Sequence, residues 1–93
     1  MFKKKKSIHL SYVRQGLIYF TCATYHIQPQ RVKTAIENLC VEVAGEDYKA
    51  LFCLLTSGRT TEDVADKSYI NDKLLSKWRA DFYHEWNRRY LGR

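Results

Sequence analysis

Between Asn71 and Tyr90 the chain contains neither glycine nor proline, and Leu75, Trp78, Phe82, Trp86 and Tyr90 recur at spacings of 3, 4, 4 and 4. A stripe of that period lies along one side of an α-helix. The spacing therefore predicts one long helix from about Asn71 or Asp72, either of which suits the cap, to about Tyr90. Such a helix cannot hide its own aromatic stripe, and a chain of 93 residues has room for one modest core. The other segments must pack around it, with its distal part, Trp86 and Tyr90, resting on the first helix or on a second copy of the chain.

Those segments also read as helices. From Leu10 to about His26, Val13, Leu17, Phe20 and Ala23 or Thr24 recur at helical spacing behind Ser11 as a cap, and this face is expected to be the buried one. The stretch LIYFTCATY is also rich in β-formers, so a strand competes there. Pro29 breaks the chain, and a second helix runs from about Gln30 to Ala44 with Val32, Ala35 or Ile36, Leu39, Cys40 and Val43 on its apolar face. Gly45 stops it. Glu46 and Asp47 open a third helix, expected to be the most buried, whose face is Tyr48, Leu51, Phe52, Leu54 and Leu55 and which closes near Gly58. Thr60 or Thr61 caps a short fourth helix with Glu62 and Asp63 in its first turn. The expected fold is all-α: a small five-helix domain over residues 10–93, preceded by a basic, flexible arm over residues 1–9.

Charge and cysteines narrow the function. Lys and Arg total 16 against 10 Asp and Glu, a net charge of +6 that favours polyanionic partners. The excess gathers at both ends, while residues 46–70 are net acidic. Cys22, Cys40 and Cys53 sit among apolar neighbours without a CxxC pair and read as buried free thiols of a reducing cytoplasm. Cys22 and His26 lie one helical turn apart, but His9 and His84 are isolated, so no metal and no cofactor is expected. The opening MFKKKKSIHLSY has no apolar run after its lysines and reads as neither a signal peptide nor a membrane span. No glycine-rich phosphate loop, HExxH or nucleophile–base arrangement is present, and the chain is not expected to be an enzyme.

The junction of the fourth and fifth helices, TTEDVADKSYINDKLLSKW, has the spacing of a helix-turn-helix. Ala65 is the small residue where two helices cross, Val64 lies beneath, Ile70 is the apolar turn residue, and Leu75 and Trp78 are the inner positions. With these fixed, Asn71, Asp72, Lys73, Ser76 and Lys77 point outward from the end of the helix that enters a major groove. Their chemistry suits base edges: Asn for adenine, Lys for guanine or phosphate, Asp for cytosine, Ser for either. Arg59, Thr61 and Arg79 are expected beside them on the DNA. Lys3, Lys4, Lys5 and Lys6 would touch phosphates without regard to sequence, helped by Arg88 or Arg89.

The stretch from Tyr48 to about residue 80, YKALFCLLTSGRTTEDVADKSYINDKLLSKWRADF as far as Phe82, resembles the helix-turn-helix of the sigma-70 region-4-like group, including small phage late-transcription regulators of the RinA and ArpU kind. The resemblance implies sequence-specific binding of double-stranded DNA and a phage or mobile-element transcriptional regulator. Tyr69 stands where such motifs often carry glycine and Ser68 where a large aliphatic is usual, which predicts a differently shaped turn, since a tyrosine at positive φ is strained. A homodimer reading two half-sites is a further expectation. The alternative is a small phage or mobile-element protein that uses the same fold to bind and modulate another protein, such as a host nuclease or RNA polymerase. A third reading is a single-strand or RNA binder that stacks bases on Tyr12, Tyr19 and Tyr25.

Overall fold

The computed structural model describes Phe2, residues 4–6 and residues 8–91. Five α-helices follow one another: α1 Tyr12–Ala23, α2 Gln30–Ala44, α3 Tyr48–Ser57, α4 Thr61–Ser68 and α5 Asp72–Tyr90. A single 3-10 turn, Gly45–Asp47, joins α2 directly to α3, so the pair also counts as one interrupted run and the molecule as four helical runs. No strand occurs among the described residues, so LIYFTCATY is helical and the all-α expectation holds.

The boundaries follow local chemistry. The Ser11 hydroxyl accepts from the Arg14 N–H at 3.2 Å and starts α1. That helix ends at Ala23, earlier than expected, and a 3-10 turn at Tyr25–Ile27 leads to Pro29, whose ring-fixed φ of −59° sets the entry of α2. Gly58 takes φ +74° at the end of α3, a conformation that costs glycine little.

Two apolar clusters share α5 between them. The larger joins Ile18 and Cys22 of α1, Ile36, Leu39 and Cys40 of α2, Leu51 and Leu55 of α3, and Phe82, Tyr83 and Trp86 of α5. The smaller joins Ala50 and Leu54 of α3, Val64 and Ala65 of α4, and Leu75 of α5. At about 1.5 Å per residue α5 is about 28 Å long, enough for its first turns to serve the small cluster and its remainder the large one.

Three expectations are corrected. The face chosen for α1 points to water: Val13, Leu17 and Phe20 are 66%, 51% and 56% exposed, while Gln15, Gly16, Ile18 and Cys22 are buried. The cause is Gln15. Its side-chain oxygen accepts from the Lys5 N–H at 2.8 Å, and its amide nitrogen donates to the carbonyls of Ile8 at 2.9 Å and of Leu10 at 3.1 Å. A buried amide is tolerated when so satisfied. Second, the basic arm is packed where it is described: Phe2 and Ile8 are buried, Phe2 against the rings of Tyr12 and Tyr19, while Lys4, Lys5 and Lys6 are exposed. Third, Cys53 is half-buried, unlike Cys22 and Cys40, and all three thiols are free.

Candidate nucleic-acid interface

The α4–α5 junction is built from its caps. Thr60, not Thr61, caps α4, its hydroxyl accepting from the Asp63 N–H at 3.1 Å. At the other end Tyr69 has φ 57° and ψ 38°, and it is the one non-glycine residue with positive φ among those described. The Ile70 N–H donates back to the Ala65 carbonyl at 3.2 Å, and the Ile70 side chain packs on the small cluster with Val64 and Ala65. This is a left-handed helix cap sealed by an apolar contact, the arrangement in which glycine is favoured. The turn is therefore not reshaped around Tyr69. The residue adopts the strained conformation, and its side chain, 96% exposed, meets nothing that would resist it.

Asn71 then caps α5, its side-chain oxygen accepting from the Lys73 N–H at 2.8 Å. The cap occupies one lone pair of that oxygen and so fixes the orientation of the Asn71 amide. Asp72, Lys73 and Lys77 are exposed and Ser76 is half-buried. Lys77 pairs with Asp81 at 2.9 Å on the open surface, a weak tie. Leu74, which sequence reasoning passed over, is 40% exposed and adds an apolar contact to the outer surface of this end of α5. The only signal for it was the doubled leucine of KLLSK, of which one must face outward.

The remaining expected residues divide. Arg59 is exposed on the loop before α4, and Thr61 is half-buried beside it. Arg79 lies apart from the outward lysines, in a cleft with Tyr83 on the inner side of α5. Lys4, Lys5 and Lys6 are exposed, whereas Lys3 lies outside the described residues. Arg88 and Arg89 are engaged: Arg88 pairs with Glu85 at 2.7 Å, and Arg89 holds Glu42 of α2 through two bonds of 2.9 Å. Hydrogen bonding to Arg89 holds the Glu42 carboxyl below its ordinary range, and Arg88 does the same for Glu85.

Charge around the turn is not uniformly positive. Glu62, Asp66 and Asp72 line the groove beside Tyr69 and Asn71. The positive side chains Lys73 and Lys77 lie further along α5.

Cys22 is buried while His26 is exposed in the 3-10 turn, so the two do not form a ligand pair, and no group of three metal-ligating side chains occurs among the described residues. Burial lifts the Cys40 thiol to about 12 and pushes the Cys22 thiol up further. No helix among the described residues is long and apolar enough to cross a membrane. No protein-family model, curated protein or solved structure matches this chain.

Proposed function

We propose that this chain is a sequence-specific double-stranded DNA-binding protein, with α4 and α5 as a helix-turn-helix, and that it acts as a transcriptional regulator of the phage or mobile-element kind in the cytoplasm, without enzymatic activity. One observation carries the reading. The left-handed cap at Tyr69 and the cluster of Val64, Ala65, Ile70 and Leu75 lock two helices together with Lys73, Leu74 and Lys77 turned to solvent. On this reading Lys73 and Lys77 meet guanine edges or phosphates, Leu74 meets a thymine methyl group, and Ser76, Arg59 and Thr61 add polar contacts. Selection of duplexes from a random pool tests it, enrichment of a defined site being the expected result. Lys73→Ala with Lys77→Ala should then weaken binding to that site and lower the salt slope by about 2 if both reach phosphates, with an unchanged circular-dichroism spectrum. No enrichment, or affinity indifferent to both substitutions across a salt series, defeats it.

A second observation favours association with protein. The outer face of α1 presents Tyr12, Val13, Leu17 and Phe20 and carries no charged side chain. These four expose roughly 450 Å², over half of the ~800 Å² that each partner gives to a standard interface. A two-fold contact sets a patch against itself, which an uncharged patch tolerates and a charged one does not. The occupant proposed is therefore a second copy, making the homodimer through α1 rather than through the end of α5. Sedimentation should find a dimer that Leu17→Glu dissociates. A monomer at all concentrations sinks the dimer. Recovery of one other protein in stoichiometric amount after nuclease treatment, through the same face and with no duplex retained, would favour instead the reading of a modulator of a nuclease or polymerase.

A further inference from the structure

Five cations of α5 are described: Lys73, Lys77, Arg79, Arg88 and Arg89. Lys77, Arg88 and Arg89 each have a carboxylate within 4.0 Å, and Lys73 stands in water. Arg79 has neither. It is half-buried, no described carboxylate reaches it, and its Nε is sealed from solvent without a hydrogen-bond acceptor. A guanidinium cannot shed its proton to escape such a site, because its pKa stays far above neutrality even when burial lowers it, as it does here. A guanidinium whose Nε is taken from water without an acceptor is destabilising. Something negative is wanted beside Arg79.

The place for it is adjacent. Arg79 lines a cleft of about 260 Å³ together with Lys5 and Arg59, and no aspartate or glutamate lines it. Tyr19 and Tyr83 border the same space, and Leu54 and Leu55 of α3 give it an apolar wall. Burial pushes the Tyr83 phenol further up from its ordinary value, so it remains a neutral donor at any physiological pH. The site is held from two directions. Gln15 clamps the main chain of Lys5 by accepting from its N–H at 2.8 Å and donating to its carbonyl at 3.1 Å. On the far side Gly58, at φ +74°, turns the loop that carries Arg59. Arg59 and Arg79, from two separate segments, thus line one cleft over an apolar wall, where charge interactions are stronger than in open water.

We propose that this cleft is a binding site for a single tetrahedral oxyanion of the phosphate class, with Arg79 as its anchoring cation and Arg59 closing over it from the loop. The cleft lies below the roughly 300–1,000 Å³ typical of pockets for drug-sized ligands, which suits one phosphate group and not a whole nucleotide. Two sources share that chemistry, a free phosphate or phosphomonoester and a backbone phosphate of a duplex. The site stands on the cleft alone and does not need the helix-turn-helix reading.

Nuclear magnetic resonance on the full chain tests it, following the arginine Nε–Hε signals while inorganic phosphate is added, with sodium chloride at matched ionic strength as the control. A saturable shift of the Arg79 signal in phosphate and not in chloride is expected. Arg59→Ala, an exposed position, should weaken phosphate about tenfold by removing one charge-assisted contact. Arg79→Lys keeps the charge but loses the planar fork and should weaken it at least as much. If Arg79→Lys fails to fold, Arg59→Ala decides alone. Equal, unsaturable drift in both salts overturns the site, as does a saturable shift that Arg59→Ala leaves unchanged. Adding a short duplex to the phosphate-bound protein separates the sources. Displacement of phosphate from Arg79 assigns the seat to backbone phosphate, and retention of phosphate assigns it to a free ion. A protein that binds phosphate here but no duplex at all keeps the site and loses only the helix-turn-helix reading.

Discussion

Tyr69 is where local strain and exposure meet. A left-handed conformation costs a non-glycine residue roughly 1–2 kcal/mol, and glycine in its place costs roughly 0.5–1 kcal/mol of extra chain entropy. The tyrosine ring offsets neither, since it is 96% exposed. Tyr69→Gly should therefore stabilise the fold by about 0.5–1 kcal/mol, which raises the thermal midpoint by about 4–8 °C per kcal/mol in a domain of this size. Loss of duplex affinity in the same variant would show that the ring is kept for contact with the nucleic acid. The cysteines give a second test at this scale. Cys22 and Cys40 are buried with thiols raised to about 12 or beyond, while Cys53 is half-buried. Alkylation at mildly alkaline pH should add one group to the folded protein, at Cys53, and three in denaturant, counted by mass spectrometry. Rapid modification of all three in the folded state would contradict this packing.

Among the elements, legibility tracked how one-sided each pattern was. The stripe of α5 is apolar on one side and charged on the other, so its length and inner residues Leu75, Phe82 and Trp86 could be read directly. The packing residues of the turn could be read too, because Ala65, Ile70 and Leu75 have few alternative uses at that spacing, whereas the left-handed conformation of Tyr69 ran against expectation. In contrast, α1 is apolar nearly all round, and its buried side is decided by Gln15, whose partners are main-chain atoms that no periodicity reveals. The cleft around Arg79 was hidden for a related reason: on a helix packed on both its clusters, a basic residue near the inner stripe can end in a cleft. Contacts between elements are also hidden from local pattern, as with Arg89 of α5 and Glu42 of α2. The Glu42 carboxyl is held below its ordinary value near 4.5 by that arginine, so the bond stabilises the fold above that value and is lost as pH falls through the lowered one. Glu42→Gln should be slightly less stable than the natural chain at about pH 7 and equal to it once the pH is below the lowered value. Both groups are solvent-accessible, so the gap is small; thermal midpoints of the two proteins across that range measure it. A gap that stays constant to low pH would mean the carboxylate charge is not what Arg89 holds.

For the molecule as a whole, the N-terminal segment decides whether the basic end is a loose tail or part of the body. A tail would leave stability indifferent to its sequence. Here Ile8 is 2% exposed inside the larger cluster, and its carbonyl is one of the acceptors that make burial of Gln15 tolerable. Trimming Ile8 to alanine removes buried methyl groups and leaves a cavity, a change that typically costs about 2–5 kcal/mol. In a domain whose whole stability is about 5–15 kcal/mol, the loss should be plain in chemical denaturation, whereas Lys6→Ala at an exposed neighbouring position should change almost nothing. The same substitution reaches the anion cleft through the main chain: the cavity it leaves loosens the segment whose carbonyls at Lys5 and Ile8 are both held by the Gln15 amide. Ile8→Ala is thus expected to weaken phosphate at Arg79 although it touches neither the ion nor the arginine, while Lys6→Ala is not. Equal stability and equal phosphate binding in the two variants would return the basic arm to the status of a tail and leave the anion cleft to Arg59 and Arg79 without support from Lys5.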